Sequence, residues 1–285
     1  MRQGLGLVLL ALVLATPAHA QDLQGTLKKV KETGTVVFGY RDNAPPFSFV
    51  GDDRQPVGYS VDICLQIVDA LRRTLALPNL TVRWVPVTVA DRVDAVVSGR
   101  IDLECGSTTI TLSRQERVDF SQMIWLDGGS LLARAGAGVA RLGDLSGKRV
   151  AVIPGTTTER ALGEALRRRA VKAEVVPVSS HDEGRAALEA GRVDAYASDR
   201  ALLVGLFLGA VDRHKLTVTD EQFSFEPYGL MLRRGDAPFR LAVNRTLASL
   251  SRSDEIARIY ERWFGRIGRP TGVLVVMYLL NALPE

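Results

Sequence analysis

Ala95-Val-Val-Ser-Gly-Arg-Ile-Asp102 recurs in the second half of the chain as Ala187-Leu-Glu-Ala-Gly-Arg-Val-Asp194. Each copy reads as the end of a helix, a Gly-Arg turn and the start of a strand, because glycine readily takes the left-handed conformation that stops a helix. The first copy runs on into Glu104-Cys-Gly-Ser-Thr-Thr109 and the second into Tyr196-Ala-Ser-Asp199. Polar groups at the carboxyl end of a strand are where open α/β sheets hold their ligands. The repeat therefore predicts two similar lobes, each bringing such groups to a strand end.

The pattern extends outward from these units. Helical stretches alternate with short β-branched runs through nearly the whole chain, which predicts an α/β architecture with largely parallel sheets. Leu27 and Val30 lead to a helix stop at Gly34, Thr35 to Tyr40 reads as a buried strand, and Asp42 to Ser48 as a proline-containing loop. Val61, Cys64, Leu65, Val68 and Leu71 recur at helical spacing behind Ser60, a suitable N-cap, with Pro78 and Asn79 as the stop. Leu80 to Val85 is the next expected strand and Val89 to Val97 a helix ended by Gly99. The first lobe is expected over residues 21–125, the second over 126–223, and a return to the first over 224–285. The last apolar run, Val273 to Leu280, is too short to span a bilayer and is expected to strap onto a lobe.

Residues 1–20 read as a cleavable secretory leader: Arg2, an apolar run from Leu7 to Leu14, and an Ala-His-Ala ending at Ala20. Removing them takes one of the 36 basic residues and none of the 32 acidic ones. The remainder is mildly basic, without the concentrated stripe and interleaved aromatics of a nucleic-acid surface, so no nucleic-acid partner is expected. Cys64 and Cys105 could pair in an oxidising compartment or lie as two buried thiols. Neither sits in a CxxC or His-Cys cluster, and no metal or cofactor is expected.

Two segments have the make-up of anion sites. Glu104 to Arg114 combines a strand end, a glycine, several hydroxyls and an arginine; Pro154-Gly-Thr-Thr-Thr-Glu159 follows a strand and opens a helix. Together with Phe38-Gly-Tyr-Arg-Asp-Asn-Ala-Pro-Pro-Phe-Ser-Phe49, Gly58-Tyr-Ser-Val-Asp62, Ser113-Arg-Gln-Glu-Arg-Val-Asp-Phe-Ser121 and Asp144-Leu-Ser-Gly-Lys148, they resemble the periplasmic amino-acid-binding proteins of ABC importers, family 3 of the solute-binding proteins, and within it the glutamate/aspartate branch. The resemblance runs in unbroken order from Leu27 to Pro270.

It implies a two-lobed periplasmic-binding-protein fold, each lobe a mostly parallel sheet flanked by helices and joined by a two-crossing hinge. It further implies a monomer that captures L-glutamate or L-aspartate in the periplasm and hands it to a membrane permease. Arg114, Ser107 and Thr109, with Thr157 from the second lobe, match the clamp for the ligand α-carboxylate, and Asp199 the acceptor of its ammonium. Arg41, Arg92 and His181 match the basic groups for the distal carboxylate.

Two positions depart from the pattern: Val89 stands where relatives carry a serine near the distal carboxylate, and Pro154 replaces a serine before Gly155. Phe47, Phe49 and Tyr59 are candidates for an apolar wall. Setting Arg41, Arg92 and Arg114 against Asp199 leaves a site near +2, suited to an anionic ligand. A neutral ligand such as glutamine would leave an arginine unpaired, at a cost of several kcal/mol. Dehydratases of prephenate-like dicarboxylates use the same scaffold, but Glu104 and Glu159 are the only nearby carboxylates that could serve as a general base, and no enzyme activity is expected.

Overall fold

The computed structural model describes residues 23–284, and the expected leader at residues 1–20 lies outside the described residues. The chain begins with α1 (Gly25–Thr33), β1 (Thr35–Tyr40), the short strands β2 (Asn43–Ala44), β3 (Ser48–Val50) and β4 (Pro56–Val57), α2 (Tyr59–Thr74) and β5 (Thr81–Pro86). It continues through α3 (Arg92–Val97), β6 (Leu103–Cys105), α4 (Leu112–Gln115) and β7 (Val118–Asp127). After Gly128 come β8 (Gly129–Arg134), β9 (Arg149–Val152), α5 (Thr157–Arg168), β10 (Glu174–Pro177), α6 (His181–Glu189), β11 (Ala195–Asp199), α7 (Arg200–Leu208) and β12 (Leu216–Val218). The last elements are β13 (Glu226–Arg233), α8 (Ala237–Arg252), α9 (Glu255–Phe264) and α10 (Gly272–Asn281).

Two five-stranded sheets result, ordered β5-β1-β6-β13-β7 and β10-β9-β11-β8-β12. In each, four strands share a direction and one is reversed, β13 in the first and β8 in the second. The reversed strands are the ones that open each passage from one sheet to the other. The sheets are thus mostly parallel by direction, as the resemblance implies, although the reversed strands make half of the ladders antiparallel.

The repeated unit has a structural reason. Asp102 Oδ2 accepts from the Val37 amide on β1 at 2.9 Å, and Asp194 Oδ2 accepts from the Arg149 amide on β9 at 2.9 Å. Each aspartate therefore ties a Gly-Arg turn to the strand that its own strand will pair with in parallel. Asp102 is fully enclosed on its side chain and bonded to Lys29 Nζ at 2.7 Å, which offsets the cost of burying its charge.

The second sheet buries both faces by strand alternation. Leu131, Ala133, Val150, Val152, Ala195 and Ala197 face α5, and Leu132, Ala151 and Tyr196 face the side of α6 and α7. In the first lobe Phe47, Tyr59, Trp125 and Phe264 pack ring on ring, with centroids 4.2 to 6.1 Å apart. Of the three candidates for an apolar wall, at least one of them expected in the core, Phe47 and Tyr59 are core residues with no exposed surface, and Phe49 packs edge-on against Trp263.

Two further expectations change. Ser60 does not cap α2, which starts at Gly58 without a side-chain cap; the Ser60 hydroxyl instead donates to the Gly106 carbonyl at 2.8 Å. The helix also ends at Thr74, before Pro78, as Leu75 turns back into the core with 4% exposure. Cys64 on α2 and Cys105 on β6 form a disulfide. The C-terminal run is a helix, α10, that buries Leu274 and Met277 against the first-lobe core. No helix among the described residues is long and apolar enough to cross a membrane.

Candidate functional site

The strand β6 delivers Glu104 and Cys105 to its carboxyl end, and the chain then turns at Gly106. A side chain there would sit 2.1 Å from Glu104 Oε1 and 3.2 Å from Arg41 Cγ, so the glycine permits the turn to lie on both charged groups. Ser60 holds the turn from below and the disulfide ties its root to α2. Ser107 and Thr109 are buried in this loop, at 6% and 4% exposure. The loop continues into α4, whose N-cap Thr111 accepts from the Arg114 amide at 3.1 Å, and Arg114 Nη1 returns to donate to the Thr109 carbonyl at 2.7 Å. The arginine is thereby held across the loop it follows.

The second lobe supplies the opposite wall from the start of α5 and the end of β11. Thr156 caps α5 by accepting from the Glu159 amide, while Glu159 accepts from the Gly155 amide at 2.8 Å. Glu159 is thus a helix-terminal acid, and the Gly155 amide is already satisfied. The next residue, Thr157, reaches across to the first lobe, its hydroxyl 3.2 Å from that of Thr109. Asp199, at 6% exposure, accepts from Thr158 Oγ1 at 2.6 Å and from the Tyr228 hydroxyl. Tyr228 belongs to β13 in the first sheet, so the two lobes also meet through this carboxylate.

Arg41, Arg92 and His181 come together. Arg41 and Arg92 are each 4% exposed, and both bear on His181 electrostatically. Burial first, then Arg92, lowers Arg41 to about 10; the same two causes lower Arg114 to about 10, so both remain charged at neutral pH. Arg41 Nε is buried with no partner.

His181, matched to the basic groups of the site, is neutral here. Burial, then Arg41 and Arg92, push it down to about 3, so the ring is neutral. Its Nδ1 lies 2.7 Å from the Tyr196 hydroxyl. Burial keeps that phenol protonated by raising its pKa; in the tautomer in which it donates to Nδ1, the ring carries its hydrogen on Nε2 and can donate from there.

Two carboxylates, Glu226 and Asp127, escape the sequence reading of the site, and a third, Glu104, is read there as lying nearby but is left out of its charge count. Glu104 has no exposed surface, and neither of its oxygens has a hydrogen-bond partner among the described residues. Glu226 is 2% exposed and accepts from Thr109 Oγ1 at 2.7 Å, Thr157 Oγ1 at 2.6 Å and Ser224 Oγ at 2.6 Å. Asp127 accepts from the Gly128 and Ala201 amides at the start of α7, while burial next to Asp199 pushes its pKa up. Glu226 and Tyr228 share one face of β13 by strand alternation, a spacing that the sequence displays but that carries no site signal by itself.

The charge balance is corrected accordingly. Arg41, Arg92 and Arg114 face Asp199, Glu104 and Glu226, and with His181 neutral the cluster is balanced rather than near +2. Val89, the first departure, packs against the second-lobe cluster containing Tyr196.

The fold and the buried ring of opposed charges between two sheets define a two-lobed binding protein for a small polar ligand. The chain belongs to the family 3 bacterial extracellular solute-binding proteins, whose model matches residues 36–266. It is similar to the L-glutamate/L-aspartate-binding protein of Pseudomonas aeruginosa, 39% identical over 94% of this chain and 89% of that protein. It is also similar to the glutamate/aspartate import solute-binding protein of Salmonella typhimurium, 34% identical over 87% of this chain and 83% of that one. Among solved structures, an ancestral amino-acid-binding protein described as a precursor of cyclohexadienyl dehydratase superposes with a TM-score of 0.73 at 27% identity, covering 84% of this chain and all of that one.

Proposed function

We propose that this protein captures L-glutamate or L-aspartate by closing its lobes and delivers it to the permease of an ABC importer, working as a monomer in the periplasm after loss of residues 1–20. The observation that carries the reading is the meeting of Arg41, Arg92 and the neutral His181 in one buried cluster with Arg114 and Asp199. An acidic amino acid carries two carboxylates and one ammonium. Arg114, Ser107, Thr109 and Thr157 would take the α-carboxylate, Asp199 the ammonium, and Arg41, Arg92 and the His181 Nε2–H the distal carboxylate. Arginine's planar fork suits a carboxylate bidentately, which favours the acidic side chain. The similarity to glutamate/aspartate-binding proteins supports the same ligand.

The lobes of this reading are residues 21–125 with 224–285, and 126–223. Contacts from both lobes to one ligand would favour the closed population. Helix α7 already meets the Pro45 loop, where Gly205 leaves room that a side chain would lack, its Cβ falling 2.5 Å from the Pro45 carbonyl oxygen.

A second reading, a neutral ligand such as glutamine, draws on the balanced charge of the cluster. Calorimetric titration of refolded protein with glutamate, aspartate, glutamine, asparagine and prephenate, repeated on Arg92→Ala, separates the two. Binding of glutamate or aspartate alone, weakened about a hundredfold or more by the substitution, is expected. Tight glutamine binding indifferent to Arg92 would move the specificity to the amide, and turnover of prephenate would replace the carrier reading with an enzyme.

A further inference from the structure

Thr109 and Thr157 lie on different lobes, yet both hydroxyls donate to the same atom, Glu226 Oε2, at 2.7 and 2.6 Å. A threonine hydroxyl has a single hydrogen to give. With both spent on Glu226, neither is free for a ligand carboxylate. The other oxygen, Oε1, is held by Ser224 at 2.6 Å, so the side chain is fixed at both ends. It also bears on Arg114 and on Asp199 electrostatically, which puts a carboxylate between the two groups assigned to the ligand's α-carboxylate and ammonium.

We infer that Glu226 is an internal stand-in for the ligand α-carboxylate: in this structure it occupies the Thr109–Thr157 clamp and ties the lobes through it, and it must give up the clamp when an amino acid binds. This rests on the reading of Thr109 and Thr157 as that clamp. The charge balance fits the role. Glu226 completes the charge balance of the cluster, and moving its carboxylate out of the clamp leaves the net positive charge that an acidic amino acid offsets. A contact that stabilises the empty form and is lost on binding lowers affinity, because the ligand must overcome it. Glu226 would therefore set how tightly the protein holds its cargo, and so how readily the cargo is released.

The test uses the full mature protein and its Glu226→Gln and Glu226→Ala variants, with circular dichroism and thermal melts to establish that each folds. Titration with L-glutamate and L-aspartate is expected to show about tenfold tighter binding in the variants, from loss of two charged hydrogen bonds in the empty state. Small-angle scattering of the empty proteins is expected to show a larger radius of gyration for Glu226→Ala than for wild type. Folded variants that bind equally or more weakly, with an unchanged scattering profile, would overturn the inference and identify Glu226 as a fixed brace. If neither acidic amino acid binds even the wild type, the functional reading fails by itself. The scattering comparison then decides the internal contact: opening in the variant upholds it, and no opening overturns it.

Discussion

Tyr228 donates its phenolic hydrogen to Asp199, joining the strand that returns to the first sheet to the last residue of a strand in the second. The bond favours the ionised carboxylate, working against burial and the Glu226 charge, which together push Asp199 up to about 6. An ionised Asp199 is the form that accepts an ammonium. Affinity for glutamate is therefore expected to be steady above pH 7 and to fall as pH drops through about 6, since binding must then expel a proton. Tyr228→Phe should move this fall to higher pH, weakening binding about tenfold at pH 6.5 and less at pH 8.5. Titration calorimetry in matched buffers over that range measures both curves; coincident curves would remove Tyr228 from the ligand's surroundings.

His181 gives a stability prediction of definite sign. Its folded pKa, about 3, lies below the ordinary value near 6.5, so the unfolded chain takes up a proton that the folded chain refuses. The neutral ring contributes nothing adverse above pH 6.5, and folding stability is lost progressively as pH falls from about 6.5 toward 3. Replacement by Gln removes that linkage. Urea unfolding at pH 7 and pH 4.5 is expected to show a smaller stability difference for His181→Gln than for wild type, by on the order of 2 kcal/mol.

The disulfide predicts a coupling between redox state and binding. Cys64 and Cys105 are 41 residues apart in sequence, a loop whose closure is worth about 3 to 4 kcal/mol in the unfolded chain. Cys105 also precedes Gly106 and Ser107, so reduction loosens the root of the ligand loop. A thiol reductant should lower the melting temperature by several degrees and weaken glutamate binding; a Cys64→Ala, Cys105→Ala double variant should show both effects without reductant.

Gly106→Ala tests the close approach beneath the arginines. The added methyl meets Glu104 Oε1 at 2.1 Å and Arg41 Cγ at 3.2 Å, and one of these side chains must move. We expect a loss of about 1 to 3 kcal/mol in chemical denaturation, with weakened glutamate binding because Arg41 shifts. Unchanged binding with lowered stability would place Arg41 outside the distal carboxylate's reach.

The fold was legible because its local signals are strong: the Gly-Arg turns, the β-branched runs and the aspartates that close each repeat all act within a few residues of chain. Asp102 and Asp194 were visible as a repeat, although their bonds to Val37 and Arg149 were not. The arginines, Asp199 and the hydroxyls that the structure brings together were named through the family resemblance rather than from their residue types alone. Glu226, Tyr228 and Asp127 were not legible, because their meaning comes from partners up to 117 residues away in sequence. The sequence count of site charges took in the residues matched to the ligand and left out Glu104 and Glu226, and so it overstated the positive balance that these two buried glutamates cancel. The charge state of His181 was not legible either, since its burial beside two arginines is a property of the assembled lobes.

The strand order of the first sheet also dictates a timetable. β13 lies between β6 and β7, and β7 has no other ladder partner in that sheet. A chain emerging from its N-terminus must thus keep β7 unpaired until residues 226–233 arrive, whereas every strand of the second sheet is contained in residues 129–218. The half of the molecule that is made first is the half that finishes last. Until it does, a ten-residue strand with buried Val118, Phe120, Ile124 and Trp125 stays open to wrong partners, which makes this interval the point at which a holdase would matter most.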